Sequence, residues 1–335
     1  MPPPMAPHAR RGVVSVDFFE LLERPWAQRL LLFLLITAVV TGADLRDTGF
    51  AQWFAPGLGD PADMGFFSRV TMAALVGVLV VLNLLLLRLF AFRTQVGIVW
   101  LELLILALAF FYSFDLSYSF ILTKIAFLIT QGAFTTIYIS LASIAVACLL
   151  ALAAALGRLS HSGPAYGLAT FYISFFRGTP LLLQVYLIYL GLPQMGFVVD
   201  AVPAGIAALS LCYGAYMAEI FRAGIQAVSG GQAEAAAALG LKKGLIFRKI
   251  VLPQAMRLIV PPTGNQFIAM LKDSSLVSVM GVWELMFLAR TLGRAEFKHL
   301  EMLITAAIIY WIMSICFEML QARIEAYYNK GEQRA

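Results

Sequence analysis

Eight long runs without a formal charge constrain this chain more than any other feature of its sequence. They occupy residues 30–43, 70–87, 103–114, 125–157, 178–199, 201–218, 258–271 and 302–317. The hydrocarbon core of a bilayer is about 30 Å thick, so a helix needs roughly 20 apolar residues to cross it. Polar and long basic side chains at the ends of the shorter runs add the missing length. The runs therefore predict an all-α integral membrane protein with about eight transmembrane helices.

Composition excludes most other classes of protein. Hydrophobic residues make up 61% of the chain and charged residues only 13%, which does not fit a soluble enzyme or a nucleic-acid-binding protein. The three cysteines, Cys148, Cys212 and Cys316, lie in apolar stretches and match no metal spacing. We therefore expect membrane lipids as surroundings, and neither nucleic acid nor a metal ion as a partner.

The positive charges predict the orientation. If the eight runs cross the membrane alternately, sixteen Lys and Arg residues fall on one side and six on the other. Cytoplasmic loops carry the excess of Lys and Arg in membrane proteins. Both tails, 1–28 and 326–335, are therefore predicted to be cytoplasmic.

The longest stretch between two spans, 221–257, carries the most specific pattern. Ser229 and Gln232 have the S-x-x-Q spacing of a capping box, and the alanines that follow favour a helix. Gly240 suits the left-handed conformation that ends many helices. This pattern predicts a short helix that begins near Ser229 and ends near Gly240.

A second short amphipathic helix is predicted directly after Gly240. Leu245, Ile246 and Ile250 fall on one face while the neighbouring Lys and Arg residues stay solvated. Pro253 is expected to restrict its continuation. The whole stretch then forms a helix-turn-helix on the cytoplasmic surface.

Seven residues of this stretch have the spacing of a known motif. They are Glu234, Ala235, Ala236, Gly240, Ile250, Leu252 and Pro253. They resemble the cytoplasmic EAA loop, here about 229–253, of ATP-binding-cassette (ABC) importer permeases. In that family the loop docks into the ATPase subunit, so the resemblance implies that these seven residues couple this chain to an ATPase.

The resemblance also implies the other components. The chain contains no G-x-x-x-x-G-K-[ST] phosphate loop, so ATP and Mg²⁺ are expected on a separate ATPase chain, and this chain is expected to be a transport subunit without a cofactor of its own. A periplasmic or extracellular amino acid-binding protein would deliver the solute. Five core spans cannot enclose a pathway alone, so a second permease subunit, identical or different, is also expected.

Further segments resemble the polar amino acid branch of these permeases. They read FFRGTPLLLQ from 175, EIFRAGI from 219 and KDSSL from 272, together with Asn265. The resemblance implies a type I permease domain over 129–325, in a bacterial inner (cytoplasmic) membrane. The three helices in 29–116 resemble the extension of general L-amino acid and glutamate-type permeases, which leaves the exact substrate open.

Two spans contain residues that interrupt helices. Thr179 before Pro180 offers an N-cap and a first-turn proline, so the fifth span is expected to restart there after a break at Gly178. The prolines at 261 and 262, followed by a glycine at 264, predict a similar break in the seventh span. Interrupted spans indicate a translocation site because their freed backbone groups can meet a charged solute, although a plain kink or a packing role is the alternative.

Polar residues near these breaks are candidates for the substrate pathway, because an amino acid needs donors for its carboxylate and acceptors for its amine. The candidates are Arg177, Thr179, Gln184, Glu219, Asn265, Lys272, Ser274 and Ser275. The alternative is structural: Glu219 and Arg222 would pair at i,i+3, and Lys272 with Asp273 would hold helices together. We favour the structural alternative, and both interpretations stay open.

Two other functions compete with the importer. An ion-coupled secondary amino acid carrier could use Glu219, Asp273 or Lys272 as its coupling group, but it would not need the EAA spacing. A membrane-embedded enzyme lacks support because the three histidines are scattered and no paired catalytic carboxylates occur in the sequence.

Overall fold

The computed structural model describes residues 24–43, 57, 65–112 and 116–329. The helices in these ranges, numbered in chain order, are α1 (Pro25–Gly42), α2 (Phe66–Leu87), α3 (Phe92–Tyr112), α4 (Tyr118–Arg158), α5 (Gly163–Gly178), α6 (Leu181–Gln194), α7 (Ala201–Gln226), α8 (Gly230–Ala238), α9 (Lys243–Met280), α10 (Leu285–Ala295) and α11 (His299–Asn329). Six of them are long and apolar enough to cross a membrane, or up to eight spans form if each of two bent pairs counts as one. The predicted all-α membrane fold is confirmed.

Contacts divide the chain into two compact units, 1–115 and 116–335. The first unit contains α1, α2 and α3. Gly77 of α2 lies against α1 so closely that a Cβ atom there would be 2.8 Å from a ring carbon of Phe33. Asn83 of α2 donates a hydrogen bond of 3.0 Å to Glu102 of α3, so the carboxylate in the apolar part of α3 has a protein partner. The proposed limits 29–116 and 129–325 stay predictions, and most of the two tails lies outside the described residues.

In the second unit, α4 and α7 pack closely through small side chains. Ala147 and Ala151 of α4 and Ala204 and Ala208 of α7 are fully buried in one cluster. Lipid provides no hydrophobic force to drive membrane helices together, so their association depends on close packing. Small side chains allow that packing because they let the two backbones approach each other. A second cluster joins α4, α9, α10 and α11 around Leu128, Leu271, Leu285 and Met302.

Three helices of this unit contain a π-helical turn, at Leu128–Ala133, Leu187–Gly191 and Phe247–Val251. These turns keep the helices continuous where their side-chain register changes.

The predicted break in the seventh span is wrong. α9 passes through Pro261 and Pro262 without interruption. At this turn Gln321 of α11 donates to the carbonyl of Pro261 at 3.0 Å. This bond ties α11 to the proline turn, although the carbonyls that the two prolines free are those of residues 257 and 258. Prolines are tolerated inside membrane helices where such freed groups are satisfied locally. The predicted span 178–199 also needs correction, because it is only the second arm of a bent pair, α5 and α6.

Candidate translocation site and coupling segment

The chain turns sharply between α5 and α6. The two helices form an angle of 108° at a break of two residues, Thr179 and Pro180. Thr179 is extended, with φ −112° and ψ 145°, because the proline ring disfavours the helical region for the preceding residue. The break predicted after Gly178 is therefore present.

Gln184 holds this break together. Its side chain is buried, and its Nε2 donates to the carbonyl of Phe176 at 2.9 Å, the carbonyl of Thr179 at 3.0 Å and the Thr179 hydroxyl at 2.9 Å. Inside a membrane the two carbonyls have no water to replace such partners. Gln184, in the first turn of α6, therefore provides hydrogen-bond donors for the carbonyls at the C-terminal end of α5.

The predicted capping role of Thr179 is wrong. The Thr179 hydroxyl donates backwards to the carbonyl of Phe175 at 2.9 Å, and Pro180, not Thr179, occupies the N-cap of α6. The backward bond is available because Thr179 directly follows the last turn of α5.

Beside the break lies a cavity of about 450 Å³, here called the central cavity. Its polar wall is formed by Arg177, Thr179, Tyr213, Tyr216, Gln266 and Asp273. Tyr213 is the thirteenth of the 26 residues of α7, so the cavity lies halfway along that helix.

Opposite charges face this cavity. The Arg177 guanidinium lies 5.3 Å from the ring centre of Tyr216, a cation–π distance. The Tyr213 hydroxyl donates to Asp273 Oδ2 at 2.7 Å. The cavity therefore offers a donor for an anionic group and an acceptor for a cationic group within one membrane-buried space.

Of the eight pathway candidates, Arg177 and Thr179 line the central cavity and Gln184 supports it. Glu219 instead pairs with Arg222 at 2.7 Å, as the structural alternative expects, and lies 3.9 Å from Arg158. Asn265 accepts from Gln321 at 3.0 Å.

The remaining three candidates cluster at the end of the α-helical part of α9. Lys272 is exposed, Ser274 is buried with its hydroxyl on the carbonyl of Leu271, and Ser275 is half-buried. None of the three is among the residues that line the central cavity.

Four residues of the polar wall were absent from the predicted set: Tyr213, Tyr216, Gln266 and Asp273. Asp273 had a signal, because a carboxylate in an apolar span indicates a partner or a function. Tyr213 and Tyr216 also had a weak signal, since their i,i+3 spacing places them on one face of α7. Gln266 had none that the sequence could show.

The coupling segment comprises α8 and the start of α9. α8 ends in a Schellman motif, in which the Gly240 amide donates to Ala237 and the Leu241 amide to Ala236, with Gly240 at φ +78°. The predicted glycine end is therefore present. The predicted capping box is wrong, because Ser229 occupies the N-cap without a side-chain bond and the Gln232 side chain accepts from Gln254.

The second predicted helix of this segment also differs from the structure. Ile246 is buried and Ile250 half-buried, but Leu245 is exposed. The π-helical turn at Phe247–Val251 changes the register between these positions. Pro253 does not stop the helix, because it lies two residues after the π-helical turn at Phe247–Val251, where the α-helical hydrogen-bond pattern restarts.

The coupling segment also forms an open groove of about 340 Å³. Glu234 lines it together with Ala233, Ala237, Ile246, Phe247 and Val251, so a residue of the motif faces a space that a partner could fill.

Comparison with known proteins identifies the class of this chain. The family described as "Binding-protein-dependent transport system inner membrane component" matches residues 145–329, more than half of the chain. The chain belongs to this family. It is a membrane-embedded permease of an ABC importer, and ATP hydrolysis in such importers is performed by separate ATPase chains that act with a solute-binding protein.

Individual relatives match about 60% of the chain. The arginine transport system permease protein ArtQ of Bacillus subtilis (strain 168) is 38% identical over 212 residues, which cover 63% of this chain and 96% of ArtQ. The L-cystine transport system permease protein TcyB of the same organism is 36% identical over 199 residues, 59% of this chain and 85% of TcyB.

Solved structures agree on the fold. A crystal structure of an amino acid ABC transporter with histidines superposes with a TM-score of 0.59 at 36% identity, covering 64% of this chain and 100% of that chain. The MetNI methionine ABC transporter reaches a TM-score of 0.53 at 18% identity, covering 61% of this chain and 97% of that chain, and shows the fold alone. The type I permease core is thus confirmed, and the ion-coupled carrier does not fit this family.

Proposed function

We propose that this permease imports polar amino acids together with a second permease chain. The observation that carries the proposal is the central cavity, where Arg177 and Asp273 place opposite charges on one space. The names of the relatives support it, since ArtQ is described for arginine and TcyB for L-cystine. ATP and Mg²⁺ belong to the ATPase in this proposal, and this chain binds neither.

The charges of the cavity match those of a free amino acid. The Arg177 guanidinium can donate two parallel hydrogen bonds to a carboxylate. Asp273 can accept from an ammonium group while the Tyr213 hydroxyl keeps the carboxylate in place. In this proposal Arg177, Thr179 and Gln184 form the substrate pathway with Asp273, whereas Glu219, Asn265, Lys272, Ser274 and Ser275 serve the surrounding structure.

In this proposal the coupling segment determines the orientation of the chain in the membrane. Glu234, Ala235, Ala236, Gly240, Ile250, Leu252 and Pro253 dock into the ATPase on the cytoplasmic side, so both termini are cytoplasmic. The three N-terminal helices provide lateral packing or lipid contact. Their many exposed apolar side chains, such as those of Leu79 and Leu106, support that role.

The cavity is tested by uptake of labelled polar amino acids in cells that express the complete importer. Charge-assisted hydrogen bonds are worth about 1.5–3 kcal/mol, so Asp273→Asn and Arg177→Gln should each reduce uptake about tenfold or more. Glu318→Gln is the matched control, because Glu318 is exposed on α11. Wild-type uptake by both cavity variants would refute the proposed site.

The coupling segment is tested by co-purification of the ATPase from native membranes. Glu234→Lys and Gly240→Asp should release the ATPase. The first replaces the carboxylate of the groove with a second cation beside Lys243, and the second strains a left-handed position. Glu296→Lys makes the same charge change directly after α10, outside the coupling segment, and this variant should retain the ATPase. Equal retention of the ATPase by all three variants would contradict the docking role.

A further inference from the structure

A second cavity carries a concentration of positive charge that the proposed pathway does not use. It has a volume of about 750 Å³ and is here called the basic cavity. Arg290 and Arg294 of α10 and His299 of α11 line it, together with the hydroxyl groups of Tyr186, Ser278 and Thr291.

The chain direction places the basic cavity on the membrane face opposite the coupling segment. α9 starts at the coupling segment, and its α-helical part alone has 22 residues, about 33 Å at 1.5 Å per residue. That length spans a bilayer core. α10 and the start of α11 follow the end of α9, so the basic cavity lies on the side from which an importer receives its solute.

The fold builds the basic face of this cavity. α10 buries Leu285, Leu288 and Ala289 against its neighbours and leaves Arg290 and Arg294 exposed one turn apart. Residues at i and i+4 lie on the same helix face, so the two guanidinium groups can act on one ligand.

No carboxylate is among the residues that line the basic cavity. The nearby carboxylates of the described chain are Glu284, Glu296 and Glu301. Glu284 is fully buried and accepts from the amides of Met286 and Phe287 and from the Tyr310 hydroxyl. Glu301 accepts from the amide of Ser117 and lies 3.8 Å from Lys298. The Glu284 carboxylate also attracts Arg290, and the exposed Glu296 follows Arg294 by two residues. Both guanidinium groups are nevertheless exposed and line the cavity, so an external anion can reach them.

We propose that the basic cavity binds the two carboxylates of a dicarboxylic amino acid before the solute reaches the central cavity. This rests on the proposed amino acid import and extends it to a substrate class. One guanidinium group and one carboxylate line the central cavity, whereas two guanidinium groups and no carboxylate line the basic cavity. Guanidinium groups bind carboxylates through paired, charge-assisted hydrogen bonds. A concave, partly open space lined by three residues that carry hydroxyl groups fits a small solute better than a flat protein surface.

The test measures binding of radiolabelled L-glutamate to the purified full chain in lipid nanodiscs. All variants carry Arg177→Gln, which removes the carboxylate-binding group of the central cavity. Any L-glutamate binding that remains is then attributable to the basic cavity, so the two proposals are tested separately. In this background, Arg290→Gln combined with Arg294→Gln should weaken binding about tenfold or more, as expected for the loss of charge-assisted hydrogen bonds. L-Glutamine, which has the same shape but one carboxylate fewer, should compete at least about tenfold less well.

Lys124→Gln is the matched control. Lys124 precedes the π-helical turn of α4, on the same membrane face, and lies over the ring of Phe120 outside the basic cavity. This variant should bind L-glutamate as the background does. Unchanged binding in the double variant, an equal loss in Lys124→Gln or equal competition by L-glutamine would each overturn the proposal. The melting temperature of the double variant separates lost binding from lost folding, and the single Arg294→Gln variant replaces it if the double variant is unfolded.

Discussion

Replacing Glu284 with alanine tests how the turn between α9 and α10 is held. The Glu284 side chain is fully buried. Its Oε1 accepts from the Phe287 amide at 2.7 Å, and its Oε2 accepts from the Met286 amide at 2.9 Å and the Tyr310 hydroxyl at 2.8 Å. The carboxylate is thus the N-cap of α10 and also ties that helix to α11.

The expected loss of stability follows from these three bonds. Removing an N-cap costs about 0.5–2 kcal/mol. Leaving the Tyr310 hydroxyl without a partner costs about 1–3 kcal/mol more. We therefore expect Glu284→Ala to lower the free energy of unfolding by about 2–5 kcal/mol, or the melting temperature by roughly 5–15 °C.

The assay is thermal unfolding of the purified full chain in detergent, followed with a dye that fluoresces on reaction with thiols. Cys316 is exposed and Cys148 is half-buried, so both are replaced with serine in every variant. Cys212 is buried in the folded chain and becomes reactive when α7 separates from its neighbours. Glu284→Gln retains part of the acceptors and should melt between wild type and Glu284→Ala. Glu296→Ala removes an exposed carboxylate just after α10 and is the control. Equal melting of Glu284→Ala and Glu296→Ala would refute the reasoning.

Three further predictions concern single positions. Gly240→Ala introduces a Cβ at φ +78° and should cost about 1–2 kcal/mol and weaken ATPase co-purification, while Gly244→Ala, which has open space and an ordinary backbone, should not. Gly224→Ala places a Cβ 2.5 Å from Cγ1 of Ile259 and should lower the melting temperature through about 1–3 kcal/mol of overpacking. The additional change Ile259→Ala removes that carbon and should partly relieve the overpacking. Gln184→Leu keeps a similar volume but removes the Nε2 donor of the carbonyls of Phe176 and Thr179. The free energy of unfolding should fall by about 1–3 kcal/mol, and both the melting temperature and uptake should decrease. A variant that transports and melts like wild type would contradict this role.

The sequence predicted the features that depend on neighbouring residues. Long apolar runs identify membrane helices because the bilayer thickness fixes their length. The break after Gly178 was predictable because Pro180 restricts the backbone of the residue before it. The left-handed end at Gly240 was predictable for a similar local reason.

The features that depend on distant contacts could not be predicted. Tyr213 and Asp273 are 60 residues apart, and only the packing of α7 against α9 brings their side chains together. The continuity of α9 through Pro261 could not be predicted either, because prolines break some helices and are tolerated inside others that cross a membrane. The Thr179 hydroxyl could either cap α6 or bond back to α5. In the structure the end of α5 brings the carbonyl of Phe175 within hydrogen-bond distance, and the hydroxyl donates to it.

The continuity of α9 sets how far a small movement at one of its ends is carried. The α-helical part of α9, Leu252–Asp273, is about 33 Å long at 1.5 Å per residue. A tilt of about 5° around its start would displace the far end sideways by about 3 Å over that length. This displacement is about as long as the 2.7 Å hydrogen bond between Asp273 and Tyr213. If α7 stays in place, a tilt of a few degrees at the start of this part of α9 is therefore enough to separate the two side chains, because the displacement grows with helix length.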